Sequence, residues 1–141
     1  MKFFKIIIFI LIFILPSNAN TIYNLIKIPN LEIYKDKTSN EVKYLRALKP
    51  FQVGIRNDNV TCFNSKEKTI KENFNLIERN LNNYTSDFLK KINLKYVVLC
   101  ENLSVSEISA AGVPNHKMRT LIIDLKFNKK YFERVIHHEV F

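Results

Sequence analysis

The chain has 141 residues, a formal net charge of +9 and 47% hydrophobic residues, a length for one domain and a composition that excludes general disorder. Its lysines are scattered, with only short pairs such as Lys90-Lys91 and Lys129-Lys130, so a basic run interleaved with aromatics, the usual footprint of nucleic-acid binding, is missing. Gly54 and Gly112 are the only glycines, which leaves no glycine-rich phosphate loop.

Residues 1–19 read as a secretory signal peptide. Lys2 and Lys5 form a positive start, Ile6 to Leu15 is an unbroken apolar run, Pro16 breaks it, and Ser17-Asn18-Ala19 places small residues before a cleavage point at Asn20. The run is short of the roughly 20 residues that span a bilayer. The alternative is an uncleaved leader that anchors the chain, the one route to a membrane that the sequence offers. Removing the two leader lysines from the +9 leaves +7 on residues 20–141. The expected destination is secreted, periplasmic or cell-envelope.

Residues 20–141 are expected to form a single α+β domain: a small sheet packed against one long amphipathic helix. Residues 21–36 read as one or two short strands around Pro29-Asn30. Ser39 or Asn40 can cap a short helix over 41–48, ended by Pro50. Residues 51–56 alternate like a strand, Asn57-Asp58-Asn59 turns, and Val60 to Phe63 is a further strand. The long helix runs over 66–92, with Ile70, Phe74, Ile77, Leu81, Tyr84, Phe88 and Ile92 at steps of three or four on one face. Residues 95–100 are a strand with both faces apolar. A loop through Ala110-Ala111-Gly112-Val113-Pro114-Asn115 leads to a strand over 119–127, and Asn128 caps a closing helix over 129–141. Cys62 and Cys100 either pair, in an oxidising compartment, or stay as two buried thiols.

The closing helix carries the chemistry. His138-Glu139-Val140-Phe141 is the opening of H-E-x-x-H. Side chains four apart on a helix share a face, roughly 5–6 Å between Cβ atoms, so two imidazoles at that spacing converge on one zinc at about 2.0–2.1 Å each. The Glu between them reaches the metal's open position and can take a proton from water there.

On these residues the chain resembles the zincin metallopeptidases, in particular the exported bacterial zinc-binding metallopeptidases. The resemblance covers residues 66–141. It rests on the helix followed by strand 95–100, on the Ala-Gly-Val-Pro stretch leading into strand 119–127, and on the apolar approach from Tyr131 through Val135-Ile136 to His137-His138-Glu139. It implies zinc as cofactor, His138 as first metal ligand, Glu139 as catalytic general base and a peptide or protein substrate. The second His would be the residue after Phe141 and is outside the sequence, as are a third ligand and a second subdomain. The expectation is therefore an N-terminal piece of a metallopeptidase, inactive as it stands. Glu133 and His137, four apart, with His116 from the loop, form another conceivable metal set. Read from the residues alone, His137 and His138 are two solvated imidazoles on a terminal turn. The alternative function is a non-enzymatic, basic, secreted or envelope-associated binding protein.

Overall fold

The computed structural model describes residues 30–54 and 59–140. The leader, residues 21–29 of the one or two strands expected over 21–36, the turn at Asn57-Asp58 and the end of the strand expected over 51–56 lie outside these residues. No described helix is long and apolar enough to cross a membrane.

The described residues form an α+β fold. Its strands are β1 (Leu31–Lys35), β2 (Lys43–Ala47), β3 (Phe51–Val53), β4 (Val60–Phe63), β5 (Tyr96–Val105), β6 (Ile108–Ser109), β7 (Gly112–Asn115) and β8 (Thr120–Asp124). Its helices are α1 (Glu67–Leu81), α2 (Ser86–Lys91) and α3 (Phe132–Val140). The first half of β5 is the centre of a mixed sheet ordered β1-β2-β5-β8-β7. There β2, β5 and β8 run parallel, while β1 and β7 are antiparallel edges. The second half of β5 pairs antiparallel with β4 and β6, and β3 lies beyond β4.

Strand alternation produces two cores. Val97 and Leu99 of β5, with Leu121 and Ile123 of β8, face the helices and meet Ile70, Phe74, Ile77, Leu81, Leu89, Phe132 and Ile136. Val98, Cys100 and Ile122 face the other way, with Leu45, Ala47, Cys62 and Leu103. Cys62 and Cys100 are joined in a disulfide, with Cα atoms 6.0 Å apart.

The partner change within β5 is fastened by a buried carboxylate. Asn102 has a φ of 54°, which turns the strand out of line where β8 ends. Asp124 accepts from the Asn102 and Leu103 backbone N–H groups at 3.0 and 3.1 Å, and from that of Lys126 at 2.9 Å. Burial pushes its carboxyl above the usual range, and these three N–H groups oppose the rise. Next to the turn, Glu101 is 2% exposed and caps α1 from a distance: it accepts from the Lys66 N–H at 2.8 Å and pairs with Lys126 at 3.2 Å. Lys66 itself provides no side-chain cap. A carboxylate there also matches the positive end of the helix dipole.

Six sequence expectations change. The helix expected over 41–48 is strand β2. Val42 and Tyr44 pack into the helix-side core and Leu45 and Ala47 into the opposite one, so long-range ladder pairing and two-sided burial override good local helix formers. Asn40 does not cap that segment; its amide donates to the Leu81 carbonyl at 3.0 Å and closes the C-terminus of α1.

The single helix over 66–92 is two. α1 stops at Leu81, and Thr85 starts α2 by accepting from the Phe88 N–H at 3.3 Å. The strand expected to end at Cys100 continues to Val105, and the one expected over 119–127 is shorter, Thr120–Asp124, because Asp124 turns the chain there by accepting from the Lys126 N–H. The stretch expected as a loop over 110–115 contains strand β7. Proline and glycine both disguise it, yet both are compatible with an edge strand.

Candidate functional site

Asn128 starts the closing helical segment as expected, accepting from the Lys130 N–H at 3.1 Å. A single 3-10 turn at Lys129–Tyr131 then runs into α3. Phe132, Ile136 and Val140, four apart, are almost fully buried and fix the face that α3 turns to the core. At about 100° per residue, His137 and Glu139 must flank Ile136 on opposite sides, and His138 must point away from the core. The burial agrees: His137 and Glu139 are half-buried and His138 is exposed.

On one flank, the Tyr84 hydroxyl and His137 Nδ1 share a hydrogen bond, and the two rings meet edge-on with centroids 5.5 Å apart. Tyr84 also stacks on Phe88 at 5.3 Å. His137 is thus a packing residue that ties α3 to the connection between α1 and α2, rather than a solvated imidazole.

On the other flank, Glu139 lies against strand β7. A Cβ on Gly112 would stand 3.1 Å from Glu139 Cγ, 3.5 Å from the Ile122 carbonyl oxygen and 3.6 Å from Val135 Cγ1. Gly112 pairs with Ile123, which faces the helices, so Gly112 presents its bare backbone to α3. A Cβ at this position would make ordinary contact with Val135 but press on Glu139, so the glycine lets the glutamate side chain come this close. Burial pushes the Glu139 carboxyl above the ordinary range, with His138 opposing. Among the described residues Glu139 has no hydrogen-bond or ion-pair partner. Strand β7 pairs only with β8, so its outer edge is open among the described residues.

The two sequence-derived site residues therefore leave α3 in different directions: His138 toward solvent, Glu139 between the helix and a sheet edge that is open among the described residues. The other conceivable metal set does not assemble. His137 is engaged by Tyr84. His116 lies beyond the far end of β7, a strand about 10 Å long at ~3.3 Å per residue, where its ring nitrogen meets the Ile92 carbonyl at 3.3 Å. Among the described residues no three His, Cys, Asp or Glu side chains converge in a way that could hold a metal ion. His138 alone is one donor where a catalytic zinc has three from protein. The residues present thus do not fit a zinc ion by themselves.

Sequence reasoning missed Gly112 and Tyr84. Gly112 carried a usable signal: one of two glycines in the chain, two residues before a proline. Tyr84 carried none, since it looked like one more member of an apolar helix face.

No protein-family model, no curated protein and no solved structure matches the chain.

Proposed function

We propose that this chain forms the peptide-holding part of an exported zinc-dependent peptidase. Glu139 is its proton acceptor and His138 the one imidazole it contributes to the metal. The observation that carries this reading is the packing of a half-buried Glu139, without a hydrogen-bond or ion-pair partner among the described residues, against Gly112 on a sheet edge that is open among them. An unpaired strand edge offers N–H and C=O groups to an extended peptide, which can add to it as a further strand. A peptide added along β7 would pass Glu139 where β7 has no side chain. A carboxyl lifted by burial is better matched to proton transfer near neutral pH than a fully solvated one.

Export is supported by the leader over 1–19 and by the Cys62–Cys100 disulfide, a bond that persists in oxidising compartments. With one imidazole as its donor set, residues 1–141 are expected neither to retain zinc nor to hydrolyse peptides. The position four residues after His138, where a second imidazole would share its helix face, lies beyond Phe141.

The test is zinc content, peptide hydrolysis and intact mass of the protein recovered from its own cells. A product with a His at that position should hold one zinc per chain, and Glu139→Gln should abolish hydrolysis while keeping the metal. A product ending at Phe141 should show neither property. Hydrolysis that survives Glu139→Gln, or a longer product with that His but no zinc, overturns the reading.

A further inference from the structure

At the end of the sheet opposite Glu139, Lys95 and Arg119 stand immediately before the parallel strands β5 and β8. With Lys90, Glu41, Ser86 and Asn40 they line a cavity of ≈ 190 Å³. Three cationic side chains face one carboxylate there, and Glu41 is already committed to Lys90 at 2.8 Å. Lys95 and Arg119 have no carboxylate partner among the described residues. The Lys95 ammonium rests over the Tyr96 ring, 5.3 Å from its centroid.

Arg119 is the informative residue. Its Nε is buried and has no hydrogen-bond partner. Buried polar groups are satisfied in the great majority of cases, so an orphaned guanidinium nitrogen beside a cavity calls for an acceptor. Its backbone is held firmly. The φ is 56°, a left-handed value unusual for a non-glycine residue. Its carbonyl accepts from both the Lys95 and the Tyr96 N–H groups, at 2.9 and 2.8 Å. The same bonds couple the backbones of the two unpaired cations, so both side chains leave from one rigid point.

We propose that this cavity binds a phosphate-type oxyanion, free or as an ester. The planar fork of Arg119 donates in bidentate fashion to the anion and Lys95 supplies a second charge. The excess of two positive charges matches a dianion. This site is separate from Glu139 and stands independently of the peptidase reading.

The test is calorimetric titration of the full chain with inorganic phosphate and with glycerol phosphate, in buffers balanced with chloride. Saturable 1:1 binding is expected, weakened at least tenfold by Arg119→Gln and by Lys95→Gln, and unchanged by Lys129→Gln, which lies outside the cavity. Glycerol phosphate binding as tightly as phosphate identifies an ester-bearing ligand; phosphate binding alone identifies a free anion. Should Arg119→Gln fail to fold, Lys95→Gln carries the test. No saturable binding beyond the chloride control, or binding indifferent to the cavity substitutions, overturns the proposal.

Discussion

Gly112 and Glu139 meet across a gap that one methyl group would fill tightly: a Cβ on the glycine would stand 3.1 Å from the glutamate Cγ. The contact decides how far α3 sits from the sheet edge and how deeply the carboxylate is buried. Gly112→Ala is expected to leave stability within about 1 kcal/mol of the parent, since the alanine regains ~0.5–1 kcal/mol of backbone entropy and the glutamate side chain can swing away. What changes is the carboxylate. Displaced toward solvent, its pKa should fall back toward the ordinary range. Gly112→Val, which cannot be accommodated by one flexible chain, should cost about 1–3 kcal/mol. Urea unfolding and NMR titration of the Glu139 carboxyl check both; an unchanged titration in Gly112→Ala would refute the role given to the glycine.

Part of this site was legible in the sequence and part was not. The helix that carries His138 and Glu139 was legible because its apolar period is local, and its start at Asn128 because a cap acts within two residues. Strands within 95–100 and 119–127 were legible, though not their bounds, because an apolar run bounded by turns is a local pattern. Strand β2 was not: its residues are good helix formers, and only pairing with Tyr96 to Leu99 of a distant segment makes them a strand. Nor was the interruption after Leu81, since the face running on through Tyr84 and Phe88 keeps a helical period across it. Gly112 acquires its role only when β7 and α3 pack together and bring it against Glu139, more than twenty residues away in sequence.

The disulfide should contribute heavily to stability. It joins residues 38 apart, for which the chain-entropy relation gives about 4 kcal/mol. Both cysteines are almost fully buried, so reduction should require partial opening. Unfolding free energies from urea titrations with and without reductant should differ by roughly 2–4 kcal/mol in the parent, and not at all in the Cys62→Ala/Cys100→Ala double variant. A parent indifferent to reductant would mean that the thiols do not pair in the native protein.

Glu101 gives the acid limb of stability a definite sign. Burial would raise its carboxyl, but the Lys66 N–H, Thr69 and Lys126 outweigh it and hold the pKa below the ordinary range. A carboxyl depressed by folding stabilises above its unfolded pKa, about 4.3, and that contribution is lost as pH falls through the lower folded value. Glu101→Gln should therefore be less stable than the parent at pH 6–8, by about 1–3 kcal/mol for a buried charged hydrogen-bonding group. The gap should close as pH drops below ~4. Asp124, raised by burial, acts with the opposite sign in acid, so the parent's own curve mixes the two. The difference between parent and Glu101→Gln separates them. A gap independent of pH would show that the carboxylate's charge contributes nothing.

Tyr84 and His137 hold the other flank of α3, and their hydrogen bond should be measurable as a coupling. Tyr84→Phe keeps the stacking on Phe88 while removing the hydroxyl; His137→Leu keeps bulk while removing the ring nitrogen. A single hydrogen bond contributes about 0.5–1.5 kcal/mol net, so the double-mutant cycle should return a coupling of that size, beyond the additive sum of the single effects. Because α3 leans on Gly112 on one side and Tyr84 on the other, loss of the bond should also speed amide exchange at Ile136 to Val140 relative to Phe132. Additive single effects with unchanged exchange would leave α3 held by Phe132, Ile136 and Val140 alone, and the presentation of His138 and Glu139 would then owe nothing to Tyr84.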